Sequence, residues 1–234
     1  MDLFATQNIE GYGKPKQLSF NPYENNEGSI VAIRGDDFVV IGADTRLSTG
    51  YSILSRDCPK LFKLSNKTIM GLTGCWCDAL TLSRLVEARM KMYMHEHNKQ
   101  ISTPALAQLL SSLLYYKRFF PYYVHSVVAG LDNEGKGRVY SYDSVGHKSE
   151  TSNIAFGSAA HLLQPLLDNQ IDGKNIGDVV PKKEPKINID DSVTIIKDVF
   201  TSAAERNIYC GDSVLMYILS ADGLKEMSFS LRKD

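Results

Sequence analysis

Residues 28–46 read Gly28-Ser29-Ile30-Val31-Ala32-Ile33-Arg34-Gly35-Asp36-Asp37-Phe38-Val39-Val40-Ile41-Gly42-Ala43-Asp44-Thr45-Arg46, and this stretch decides the fold. Residues 29–34 and 38–43 are β-type runs, joined by Gly35-Asp36-Asp37 as a hairpin turn. The second run is apolar on both faces, so it needs cover on both sides. A doubly covered strand inside an antiparallel hairpin points to stacked layers.

Outward from that hairpin, a short strand is expected over residues 51–54, then strands over 60–64 and 68–73 around Ser65-Asn66-Lys67. After Gly74, Ala79, Leu82, Val86, Met90 and Tyr93 recur at spacings of three and four, the apolar stripe of a long helix. Thr103-Pro104 reads as an N-cap followed by proline at the first helical position. The helix it opens buries Leu106, Leu109, Leu110, Leu113 and Leu114. Residues 124–131 and 138–142 form a hairpin, and a third helix starts at Ser158 with Leu162, Leu163, Leu166 and Leu167. Residues 170–188 are polar with two prolines and read as a loop. A fourth helix starts near Asp190 or Asp191 and turns Val193, Ile196, Val199, Phe200 and Ala203 inward. The last hairpin, 214–219 with 224–231, turns at Ala221-Asp222-Gly223.

Hairpins interleaved with helix pairs argue an α+β fold rather than a parallel βαβ sheet. Two stacked sheets between two helical layers would bury both the apolar strands and the helix stripes. No repeat or linker divides the chain, so residues 28–234 are expected to form one domain. Residues 1–27 lack periodicity, carry Gly11, Gly13, Pro15 and Pro22, and read as an extended arm, ordered only where something holds it.

The 26 basic and 27 acidic residues leave a net charge of −1, which argues against a broad electrostatic footprint for nucleic acid or anionic membrane. No apolar run is long enough to span a bilayer, and the first 20 residues contain no secretory core, so a cytoplasmic or nuclear location is expected. Cys75 and Cys77 are too close for the usual zinc spacing, and no second pair or paired histidine motif follows; free thiols are expected at Cys58, Cys75, Cys77 and Cys210, with no metal and no cofactor. Gly-x-Ser-x-Gly, His-Glu-x-x-His and phosphate-loop patterns are absent.

The opening Gly28-Ser29-Ile30-Val31-Ala32 with Gly42-Ala43-Asp44-Thr45-Arg46 resembles the start of proteasome beta subunits. Lys60, Gly71-Leu72-Thr73-Gly74 with Asp78, Gly157-Ser158-Ala159 and Gly211-Asp212 fall in that family's order. Phe119-Phe120-Pro121-Tyr122-Tyr123, Leu167-Asp168-Asn169-Gln170 and Ser202-Ala203-Ala204-Glu205-Arg206 narrow the resemblance to the beta type-1 branch, at the sixth position of the beta ring. It implies a four-layer αββα sandwich of the N-terminal nucleophile hydrolase type. It also implies partners: other beta subunits in the same and the opposite ring, and alpha-ring subunits, in a hetero-oligomer of 28 chains.

Active members of that family attack with a threonine at the mature N-terminus and use its freed amine as base, tuned by a lysine and an aspartate. Asp44 and Lys60 match those two groups, and counting back from either reaches Gly28, which has no side chain. Ser29 is one residue out of register, and on a strand that shift points a side chain to the opposite face. Where active members carry an aspartate and a serine, this chain has Asn207 and Cys210. The expectation is a subunit with no catalytic residue, in which Asp44, Arg46 and Lys60 are structural. The alternatives are a hydrolase that uses Ser29 after autolysis, and a free-standing binding module on the same fold. The aromatic run 119–123 reads equally as a core plug and as a subunit contact.

Overall fold

The structure is a computed structural model that describes residues 21–174 and 187–233. Most of the expected arm and much of the expected loop 170–188 therefore lie outside the described residues. The first half runs β1 (Ser29–Arg34), β2 (Val39–Asp44), β3 (Leu47–Thr49), β4 (Ser52–Ser55), β5 (Leu61–Lys63), β6 (Thr68–Gly74), α1 (Trp76–His97) and α2 (Thr103–Tyr116). The second half runs β7 (Val124–Leu131), β8 (Gly137–Tyr142), β9 (Lys148–Glu150), β10 (Asn153–Gly157), α3 (Ala160–Gln170), α4 (Ile189–Ala204), β11 (Ser213–Ser220) and β12 (Gly223–Ser230).

Two antiparallel five-stranded sheets form, ordered β10-β1-β2-β11-β12 and β5-β6-β7-β8-β9. Strand alternation sorts their side chains into three cores. Ile30, Ala32, Val39 and Ile41 meet Ile69, Val127 and Val139 between the sheets. Val31, Ile33 and Val40 face outward onto Leu163, Leu167, Ile196 and Phe200 of α3 and α4. Met70, Leu72 and Val128 face outward from the second sheet onto Leu82 and Val86 of α1 and Leu106 and Leu110 of α2. The result is the four-layer αββα sandwich, with β2 covered on both faces.

The helix stripes lie as their spacing predicts. Ala79, Leu82 and Val86 are fully buried, with Met90 and Tyr93 half-buried at the end of the same row. The helix starts are corrected. Ser102, not Thr103, caps α2, its Oγ accepting from Ala105 N at 3.4 Å. Thr103 instead points into the protein: its Oγ1 lies 2.7 Å from Thr68 Oγ1 and donates to the Leu131 carbonyl at 2.7 Å. The third helix starts at Ala160, not Ser158: its first intrahelical hydrogen bonds run from Leu162 N and Leu163 N to the Ala159 carbonyl, while the Ser158 N–H bonds the Gly28 carbonyl. The fourth starts at Ile189, where Asn188 Oδ1 accepts from Asp191 N at 2.7 Å. Strands β3, β9 and β10 were not expected. They are short, and β10 gains its order by pairing along β1 from Ser29↔Gly157 to Ile33↔Asn153.

Candidate functional site

The entry to β1 brings Gly28, Ser29, Asp44 and Lys60 together. Ile30 and Ala32 point between the sheets, and Val31 and Ile33 point toward α3 and α4. Gly28 shares the face of Ile30, and Lys60 fills the space there. A Cβ built on Gly28 would overlap Lys60 Cε and stand 2.8 Å from both Cδ and Nζ. Gly28 also has φ +89°, a backbone region in which a side chain is strained.

Lys60 is 1% exposed. Its Nζ donates to the Asp44 carbonyl at 2.9 Å, to Asp44 Oδ1 at 3.2 Å and to the Arg46 carbonyl at 2.6 Å. Asp44 is wholly buried, and its Oδ1 accepts a further hydrogen bond from Ser29 N at 2.7 Å. Burial raises the Asp44 carboxyl above its ordinary value, and the Lys60 charge with the Ser29 hydrogen bond draws it only part of the way back. Asp44 Oδ2 has no hydrogen-bond partner among the described residues.

Ser29 takes the other face. Its Oγ accepts from Ala159 N at 3.1 Å, on the side of the sheet where Cys210 is buried. Burial, with the Asp44 charge, pushes the Cys210 thiol well up, which makes it a poor nucleophile. Asn207 turns its Oδ1 back to Tyr209 N at 2.8 Å. The serine hydroxyl and the lysine amine thus lie on opposite sides of β1.

Arg46 is 1% exposed and ties this region to the segment between α4 and β11. Its Nε donates to Asp212 Oδ2 at 2.8 Å and its Nη1 to the Ile208 carbonyl at 2.7 Å, while Arg56 Nη1 reaches Asp212 Oδ1. Burial acts to raise the Asp212 carboxyl, but the hydrogen bonds from Arg46 and Arg56 outweigh it and leave the group below its ordinary value.

The peptide before the strand is held as well. The Gly28 carbonyl accepts from Ser158 N at 2.9 Å and from Thr73 Oγ1 at 3.3 Å, and Thr73 Oγ1 also donates to the Glu27 carbonyl at 2.9 Å. Gly157 packs so closely on this carbonyl that a Cβ there would overlap it. A cleft of about 250 Å³ opens alongside, lined by Glu27, Thr73, His125, Phe156 and Ser158. Asn26 accepts from Trp76 N at 2.8 Å through its side chain, so the arm supplies the first turn of α1 with an acceptor that Cys75 does not provide. Its own N–H donates to the Gly74 carbonyl at 2.9 Å. The sequence reading left this role of Asn26 unseen, since the partners are some fifty positions apart.

Of the aromatic run, Tyr122 packs against the α1–α2 core, whereas Phe119 and Phe120 stand 90% and 66% exposed. The core-plug reading therefore holds for Tyr122 and not for Phe119 or Phe120. Cys75 and Cys210 are buried, Cys58 is half-buried and Cys77 exposed, all as free thiols. No helix among the described residues is long and apolar enough to cross a membrane.

Chemically, the site has a buried lysine bonded to a buried aspartate, no side chain at residue 28 beside them, and the Ser29 hydroxyl bonded instead to Ala159 N. A family profile described as proteasome subunit matches residues 24–219. The chain is 52% identical over 219 residues to "Proteasome subunit beta type-1" of Drosophila melanogaster, covering 94% of this chain and 93% of that protein. It is 47% identical over 221 residues to "Proteasome subunit beta type-1" of Arabidopsis thaliana, covering 94% and 99%. It is 39% identical over 231 residues to "Proteasome subunit beta type-6" of Saccharomyces cerevisiae, covering 96% of each.

Proposed function

The chain belongs to the proteasome subunit family, and from that premise we propose that it is a non-catalytic beta subunit of the 20S core particle. It completes the beta ring and walls the chamber in which protein degradation takes place, while the cutting is done elsewhere in the particle. The observation that carries this reading is the Lys60 side chain lying where a nucleophile at residue 28 would stand. An N-terminal nucleophile needs both a side chain there and a freed amine, and Gly28 offers no side chain. Ser29 does not substitute, because its hydroxyl is bonded to Ala159 N on the opposite face.

In the same reading the partners are beta subunits of its own and the facing ring and subunits of the alpha ring, in a 28-chain particle of cytoplasm and nucleus. Residues 28–234 form the ring-building domain and residues 1–27 an extended N-terminal arm. No metal or cofactor enters the scheme.

The test is the intact mass and N-terminal sequence of this chain taken from its native particle. A chain that keeps the residues before Gly28 has never freed an amine at the site. A chain that begins at Ser29 and loses peptide hydrolysis on Ser29→Ala would overturn the reading.

A further inference from the structure

The cleft of about 250 Å³ beside the Gly28 carbonyl has walls of one sign of charge: Glu27 lines it, and no lysine or arginine does. Glu27 is held in place from two sides. Its N–H donates to Asn25 Oδ1 at 3.2 Å, and Asn25 Nδ2 donates to Glu27 Oε1 at 2.9 Å. Glu27 Oε2 has no hydrogen-bond partner among the described residues. The backbone at Glu27 has φ +60°, a region that favours glycine, so the carboxylate stands there against a local preference. Burial raises the Glu27 carboxyl, and a cation brought beside it would relieve that cost.

The other walls supply an acceptor and rings. Thr73 Oγ1 gives its hydrogen to the Glu27 carbonyl at 2.9 Å, so what remains to it is accepting. His125 and Phe156 stack with ring centres 5.2 Å apart, and Tyr123, 48% exposed, lines the same cleft. Burial lowers the His125 imidazole against the pull of Asp143, so this ring adds no cation near neutrality. Three carboxylates bear on the cleft: Glu27 in its wall, Asp143 near His125, and Asp78, whose Oδ2 accepts from Tyr123 N at 2.9 Å. The start of α3 borders the cleft at Ala160 and alone would favour an anion. Its Ser158 N and Ala159 N are already bonded to the Gly28 carbonyl and Ser29 Oγ, and the carboxylates oppose it. Lys60 lies past Gly28 and is paired with Asp44 at 3.2 Å.

A free carboxylate oxygen, an accepting hydroxyl and aromatic faces together suit an ammonium with an apolar group attached. We propose that this cleft binds a primary amine carrying one apolar or aromatic group, whether the amino end of a peptide or a free small amine. The ammonium donates to Glu27 Oε2 and Thr73 Oγ1, and the apolar group lies against Phe156, His125 and Tyr123. The space is smaller than the roughly 300–1,000 Å³ of drug-sized sites and takes one such group. The site binds only, with no bond made or broken.

The test uses the full chain in whatever native assembly holds it. The probe is para-azidophenylalanine amide, which carries both the amine and a photo-reactive ring. On illumination it is expected to label this chain at Tyr123, His125 or Phe156, and its N-acetyl form, which has no ammonium, about tenfold less or worse. Glu27→Gln keeps the size and an acceptor for Asn25 but loses the charge, and it should lower labelling to the same extent. Phenethylamine and a tripeptide with a free amino-terminal phenylalanine should both compete. Equal competition would make the ammonium and ring the whole of what is read, and a tenfold advantage for the tripeptide would make the source a peptide end. Labelling that is absent, falls outside the cleft, is equal for the acetylated probe or resists both competitors overturns the proposal. So does full labelling of Glu27→Gln. Where that variant fails to fold, the two probes on the wild-type chain decide the matter.

Discussion

Lys60 occupies the space that a side chain at residue 28 would need, so that Gly28 and Lys60 fit together only because one of them has no Cβ. The amine that would tune a nucleophile is instead bonded to the Asp44 carboxylate and to two backbone carbonyls. Putting a hydroxyl back must therefore displace a buried lysine stem and impose a strained backbone at the same time.

Gly28→Thr is accordingly expected to leave peptide hydrolysis by this subunit at the wild-type background. Its positive φ alone should cost about 1–3 kcal/mol. Fluorogenic peptide assays on particles carrying the variant, with the other subunits' sites blocked, check the first part. Hydrolysis above background would show that the lysine can move aside.

Lys60→Met keeps the stem but removes the charge, leaving the Asp44 carboxylate buried without its ion partner. A loss of about 3–5 kcal/mol is expected, with the Asp44 carboxyl pushed up further. Adding Asp44→Asn should return part of that loss, since the two residues act as one unit. Urea midpoints of the two single variants and the double variant measure the coupling; strictly additive losses would mean that the pair does not interact.

Asp212 sets an acid limit. Its folded carboxyl lies below its ordinary value, so its stabilising contribution is fully present above the unfolded value of about 3.9 and is lost as pH falls through the lower, folded one. Asp212→Asn should thus be less stable than wild type near neutrality, and the gap should close on acidification toward about pH 2. Thermal midpoints across that range decide it. A gap that stays constant would place the effect in the loop backbone, where Asp212 has φ +67°.

Asn26→Ala removes the acceptor that the arm lends to Trp76 N. A loss of about 0.5–2 kcal/mol is expected, in line with other helix caps. Hydrogen exchange should quicken at the first turn of α1 and at residue 26, whose N–H is bonded to the Gly74 carbonyl. Faster exchange spread over the whole chain would argue against a local cap.

The layers were legible because the apolar positions obey two periods. Residues 38–43 read as covered on both faces and are buried, and Leu82 and Val86 fall on the helical row that the structure buries. What was missed depended on partners distant in sequence. Asn153–Gly157 has little strand character until β1 lies beside it. Thr103 looks like a cap until Thr68 and the Leu131 carbonyl arrive to take its hydroxyl. Position 28 was reached by counting from Asp44 and Lys60. The opposed faces of Gly28 and Ser29 then followed from the alternation of one strand, which is why this part of the site could be anticipated while the clasp of Arg46 on Asp212 could not.

The placement of β2 has a consequence for when the protein can fold. One edge of β2 pairs with its near neighbour β1, but the other pairs with β11, from Asp44↔Val214 to Val39↔Leu219. During synthesis that second edge stays open, with its apolar residues bare, until Ser213–Ser220 has been made, about 170 residues after β2. Contacts between such distant segments form slowly, and an open edge of this kind invites pairing with other chains. The first sheet is therefore completed only after β11 and β12 have been made, and the newborn polypeptide passes through a period in which it depends on shielding from its neighbours.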